Sequence, residues 1–176
     1  MLKNFSRPAL KLYKYEAHLL GPFRTLATHA KMSWLPISED SPFSIHNLPF
    51  GIITSKSSQT QKRPAVAIGD HVLDLLAFSK GDGFVQLPSI QPHLEVFAQP
   101  TLNAFAALGR ETHRAVRGYL HEIFTENTEF GKVLKDNEEL RKQALLPKHE
   151  TKTHLPMQIG DYTDFYAGLN HAFNVG

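Results

Sequence analysis

Pro64-Ala-Val-Ala-Ile-Gly-Asp-His-Val-Leu-Asp-Leu75 is the stretch that decides the fold class. Two apolar runs, 64–68 and 71–75, flank the dipeptide Gly69-Asp70. A tight two-residue loop needs positive φ to match the right-handed twist of its strands, and glycine supplies it. The stretch therefore predicts a β-hairpin. Moving toward the N-terminus, Ile45 to Thr54 is short and apolar, interrupted by Pro49 and Gly51. From Trp34 to Phe97 the signals favour short strands, with Pro and Gly recurring every few residues, which suits a small barrel better than a helical bundle.

Moving toward the C-terminus, the period changes. From Gln99 to Ala144 the pattern becomes helical. Val116, Tyr119, Leu120, Ile123 and Phe124 fall at i, i+3, i+4, i+7 and i+8 and form one apolar stripe. Asp136 with Glu139 three residues on resembles a capping box that opens a helix through about Ala144, with Pro147 as its stop. Residues 147–160 read as a Pro-bounded connector. The run Asp161-Tyr-Thr-Asp-Phe-Tyr-Ala-Gly-Leu-Asn-His-Ala-Phe-Asn-Val-Gly176 follows. It is too short to build a core of its own, so it either packs on the preceding domain or opens a second one.

At 176 residues, 41% hydrophobic and 20% charged, the chain can bury a core. No apolar run approaches the roughly 18 residues of a spanning helix. The absence of cysteine excludes disulfides, thiol nucleophiles and thiolate-held metals. The net charge of +2 hides an asymmetry: residues 1–31 hold six basic residues and one acid, and residues 32–176 hold 13 basic and 16 acidic residues. Residues 1–31 read as a basic leader, either a plain extension upstream of Met32 or an organelle transit peptide. The plain extension is favoured, which places the chain in the cytoplasm, with mitochondrial targeting as the alternative. No basic cluster after residue 31 marks a nucleic-acid face.

Most local motifs are weak. His149 and His154 flank Glu150 without the His-Glu-x-x-His spacing and outside any predicted helix. His121-Glu122 has no second histidine at a ligating offset and reads as a solvated helix face. Gly81-Asp82-Gly83 is too short for a phosphate loop, and no Gly-x-Ser-x-Gly elbow is present. The cluster Asp161, Tyr162, Asp164, Tyr166 and His171 carries more chemistry. Carboxylates ligate hard cations, an imidazole near one acts as general base on water, and a phenol binds a substrate oxygen. On spacing alone, turn residues and a structural histidine are the favoured explanation of the cluster.

From Met32 onward the chain resembles the N-terminal part of the fumarylacetoacetase family. The matching stretches are Phe43-Ser-Ile-His-Asn-Leu-Pro-Phe-Gly51, Val66-Ala-Ile-Gly-Asp-His-Val-Leu-Asp-Leu75 and Phe97-Ala-Gln-Pro-Thr-Leu-Asn103. His154-Leu-Pro156, Ile159-Gly-Asp-Tyr-Thr-Asp-Phe-Tyr166 and His171-Ala-Phe-Asn-Val-Gly176 complete the match. The resemblance implies a mainly β protein with α elements. An SH3-like β-barrel would occupy residues 32–150, and residues 151–176 would be the truncated start of a mixed β-roll catalytic domain. It further implies hydrolysis of the carbon–carbon bond of 4-fumarylacetoacetate to fumarate and acetoacetate, in tyrosine and phenylalanine catabolism.

Residue by residue, Asp164 resembles a ligand of a catalytic Ca2+ or Mg2+, Tyr166 a substrate-binding tyrosine, and His171 the histidine that activates water. The implied partners are a small-molecule substrate and, for the full-length family, a second copy in a homodimer, with neither nucleic acid nor membrane. Ala167 and Gly168 stand where the family pattern has two small hydroxyl residues. Family chains run more than twice this length, so the remaining ligands, the acid that orients the histidine and the oxyanion-stabilising cations would lie downstream. The expectation is an N-terminal fragment, inactive alone. The alternative is a non-catalytic SH3-like interaction module.

Overall fold

The Gly69-Asp70 loop does join two antiparallel strands. A computed structural model describes residues 32–161, 163, 165 and 167–175. The leader reading of residues 1–31 lies outside the described residues. Strand β1 (Phe50–Ser55) is followed by β2 (Ser58–Ile68) and β3 (His71–Asp74). Ile68 faces His71 and Val66 faces Leu73 across the ladder. Gly69 has φ of +53°, and a Cβ built there would stand 3.1 Å from Ile37 Cγ1, so backbone and space both favour glycine.

The strand-rich expectation for 34–97 needs correction in two places. Leu75–Lys80 forms helix α1, because Asp74 caps it: its Oδ1 accepts from the N–H groups of Leu76 and Ala77 at 3.0 and 3.1 Å. Gln91–Ala98 is a 3-10 segment opened by Pro92. The connector reading of 147–160 also needs correction. Leu145–Pro147 is strand β4, paired with β3, and Thr151–His154 is strand β5, paired with β1.

The sheet order is β4-β3-β2-β1-β5, all antiparallel. A flat sheet of this order would hold its outer strands about 19 Å apart. Only Lys148–Glu150 separates β4 from β5, and the four residue steps from Pro147 to Thr151 span at most about 14 Å. The sheet must therefore curl so that its outer strands approach. Two backbone bonds fix this turn: Lys148 N–H donates to Asp70 O at 2.8 Å, and Lys56 N–H donates to Glu150 O at 2.9 Å.

The alternation of side chains sorts the sheet into two faces. Ile52, Val66, Ile68 and Leu73 join the main core, while Ile53, Ala65 and Val72 form a smaller cluster. The five stripe residues of α3 (Arg110–Phe124) are all buried in that main core, as their spacing requires. Short helix α2 (Asn103–Ala107) adds Phe105. Trp34 ties the start of the described chain to the end of α3 through Nε1, which donates to Ile123 O at 2.8 Å.

Tyr119 on α3 donates its hydroxyl to Gly83 O at 2.9 Å. Burial pushes this phenol up to about 12, partly offset by a backbone hydrogen bond from Gln86. It therefore remains a donor throughout the neutral range. A Cβ at Gly83 would meet the Phe78 ring at 2.5 Å, so the glycines around Asp82 serve a packed turn. Helix α4 (Glu138–Ala144) begins one residue later than expected. Asn137, not Asp136, is the cap, with its side chain accepting from Leu140 N–H at 3.1 Å. The helix gives way to β4 directly, and Pro147 closes that strand.

Candidate functional site

The sheet delivers the tail to one place on the surface. β5 adds to the free edge of β1, where Thr54 Oγ1 and His154 Nε2 lie 3.0 Å apart. Beyond β5, Leu102 N–H donates to Pro156 O at 2.8 Å. The Asn103 side chain then grips Gln158 at both ends. Its Nδ2 donates to Gln158 O at 3.0 Å, and its Oδ1 accepts from Gln158 N–H at 2.8 Å. A carboxamide that copies both sides of a ladder bond fixes the chain direction where it leaves the domain. Asn103 lies in one of the stretches quoted above, but nothing in its spacing gave this role.

The Asn103→Ala variant removes both bonds. Each exposed hydrogen bond is worth about 0.5–1.5 kcal/mol. Hydrogen exchange at Gln158 N–H is expected to quicken about tenfold, with the core amides of α3 unchanged. Unchanged exchange at Gln158 would show that the clamp does not hold the tail.

Past this clamp the apolar side chains are uncovered. Ile159, Phe165, Leu169 and Phe173 are each more than 70% exposed. Helix α5 (Leu169–Val175) buries none of its residues. Of the sequence-derived site residues, His171 lies on α5 with an exposed side chain, and Asp161 is exposed. Asp164 and Tyr166, like Tyr162, lie outside the described residues.

Among the described residues no group of three or more His, Cys, Asp or Glu gathers as a metal-holding cluster. His149 and His154 do line one polar cleft of about 340 Å³, but its carboxylate faces a lysine and His154 faces a hydroxyl. Glu150 stands 3.8 Å from Lys56, and His154 is against Thr54. His121 Nδ1 sits 3.4 Å from Glu122. The described residues hold no helix long and apolar enough to cross a membrane.

Comparison with known proteins adds a different kind of observation. Residues 46–156 match the family described as Fumarylacetoacetase N-terminal. Over 144 residues, 82% of this chain, it is 62% identical to the Fumarylacetoacetase of Emericella nidulans, covering 33% of that protein. It is 42% identical to that of Arabidopsis thaliana over 144 residues and 41% identical to that of Homo sapiens over 145. In both cases it again covers 82% of this chain and 33% of the relative. The chain therefore spans about a third of the length of the curated relatives it matches.

Proposed function

Because this chain belongs to the fumarylacetoacetase family, matching its N-terminal part, we propose that its residues serve the hydrolysis of 4-fumarylacetoacetate to fumarate and acetoacetate, a step of tyrosine and phenylalanine catabolism. The observation that carries the reading is the 62% identity over 144 residues, 82% of this chain. The curled five-stranded sheet supports reading the domain that opens at residue 32 as an SH3-like barrel, with β5 (Thr151–His154) as its fifth strand, and the tail beyond that strand is read as the start of a mixed β-roll. Residues 1–31 are read as an extension outside both, in a cytoplasmic protein.

In this reading His171 takes a proton from water as the water oxygen adds to the substrate carbonyl carbon. The carbon–carbon bond then breaks, its electron pair leaves on the acetoacetate fragment as an enolate, and that enolate is protonated. The Tyr166 phenol donates to a substrate oxygen and fixes the carbonyl against the imidazole. Asp164, with further oxygen ligands from outside these 176 residues, would hold a Ca2+ or Mg2+ that offsets the enolate charge. The exposed position of His171 on α5, beside uncovered Leu169 and Phe173, fits a segment completed by more protein, including a second copy in a homodimer.

A hard cation such as calcium takes 6–8 oxygen ligands, more than the tail carboxylates supply. The 176 residues alone are therefore expected to show no loss of fumarylacetoacetate absorbance with added Ca2+ or Mg2+. Sustained turnover would contradict the need for residues from elsewhere.

A further inference from the structure

A second feature lies on the solvent side of α3 and does not depend on the hydrolase reading. A hollow of about 330 Å³ opens between this helix and residues 45–48. Its floor is Ile45 and Leu48, both buried. Arg114, Arg117, His46 and His121 stand around it, and no carboxylate of the described residues lines it. The His46 and His121 rings lie 5.8 Å apart. The Arg117 guanidinium sits 5.4 Å from the Phe50 ring centroid, which restricts where it points.

Two observations say that this hollow is more than an uneven surface. The first is charge. Four lysines and arginines of the described residues pair with carboxylates, and most of the others, Arg114 and Arg117 among them, do not; what sets these two apart is that they share one hollow with His46 and His121. Glu122 is the nearby acid, on the His121 side at 3.4 Å. The second observation is Gly118. Glycine in a helix interior is unfavourable relative to alanine, and it is usually explained by a close neighbour. A Cβ built at Gly118 meets nothing within 4 Å. The space that a side chain would fill is the hollow itself.

We propose that this hollow is a binding site for a small dicarboxylate. The two guanidinium groups offer paired donors to planar carboxylates, the imidazoles add further donors, and Ile45 and Leu48 receive the carbon body. Such a floor favours an organic anion over a fully hydrated inorganic one. Gly118 keeps the opening wide enough to admit it.

Titration of the 176-residue chain with fumarate, followed by backbone NMR shifts at 150 mM salt, tests the proposal. Saturating shifts at Gly118, Arg117 and His46 are expected, with a Kd on the order of 1 mM. The double variant Arg114→Gln/Arg117→Gln is expected to raise that Kd at least about tenfold. Gly118→Leu fills the hollow from a position with open space, so it should fold and lose the saturating shifts. Inorganic phosphate should give only small, non-saturating shifts. Any of three results would overturn the site: no saturation with fumarate, equal binding of phosphate, or a double arginine variant that binds like the parent. The arginine variant decides the matter if Gly118→Leu does not fold.

Discussion

Replacing Asp74 with alanine is expected to destabilise the folded domain by about 3–5 kcal/mol, the range found when one partner of a buried ion pair is removed. Asp74 has two duties. Its Oδ2 accepts from Arg63 Nε at 2.5 Å, with both side chains about 95% buried, and its Oδ1 caps α1. Arg63 also donates to Ser55 Oγ and Gln61 O, both at 2.9 Å, so the pair ties β1, β2 and β3 together. Without the carboxylate, a guanidinium is left buried and α1 loses its cap, the latter worth about 1 kcal/mol.

Urea unfolding followed by fluorescence of Trp34 measures the loss. The Arg63→Met/Asp74→Leu double variant should recover much of it, since apolar groups of similar size need no counter-charge. A loss below about 1 kcal/mol for Asp74→Ala would mean that the pair is solvated and that its burial is misjudged.

The second large effect concerns His171 and needs the remainder of a catalytic chain. Residues 33–176 can be spliced in place of the N-terminal third of the Emericella nidulans relative, to which this chain is 62% identical over 144 residues. In that chimaera His171→Asn is expected to lower kcat by about 10²- to 10⁴-fold, the usual worth of a positioned general base. Tyr166→Phe should act mainly on KM, because it removes a hydrogen bond to substrate but no proton acceptor. The pH profile separates roles: loss of the acidic limb of kcat/KM in His171→Asn marks the base. A variant of unchanged kcat would remove His171 from the chemistry.

Much of the fold was legible because two signals are local and strong. Gly69-Asp70 between apolar runs gave the β2–β3 hairpin, and the 3.6 period of Val116 to Phe124 gave α3 and its buried face. The misses share a physical cause. Ser58–Arg63 extends β2 with polar, mostly exposed residues, so no period-two alternation announced it. β5, Thr-Lys-Thr-His, is held by edge pairing with β1 rather than by apolar residues. Asp74 ends β3 as expected, but its second role as the cap of α1 depends on where the backbone turns. Asn137 took the cap that Asp136 was expected to make because helix starts are set to a residue by local backbone geometry, which spacing does not fix.

The candidate site was legible in another way. Asp164, Tyr166 and His171 emerged from the likeness to a family, while their spacing alone favoured turn residues and a structural histidine. The fold adds the route by which the tail arrives, through β5, Pro156 and the Asn103 clamp. It also adds the uncovered apolar residues around His171. Neither could be read from the sequence, because both depend on which surfaces the folded domain leaves open.

Turnover by the unmutated chimaera tests the family assignment most directly. With Mg2+ or Ca2+ present, loss of fumarylacetoacetate absorbance should proceed within about tenfold of the parent relative, a gap of no more than about 1.4 kcal/mol in barrier. A chimaera that folds and assembles like the parent but consumes no substrate would contradict the claim that this chain carries a working share of that catalytic site.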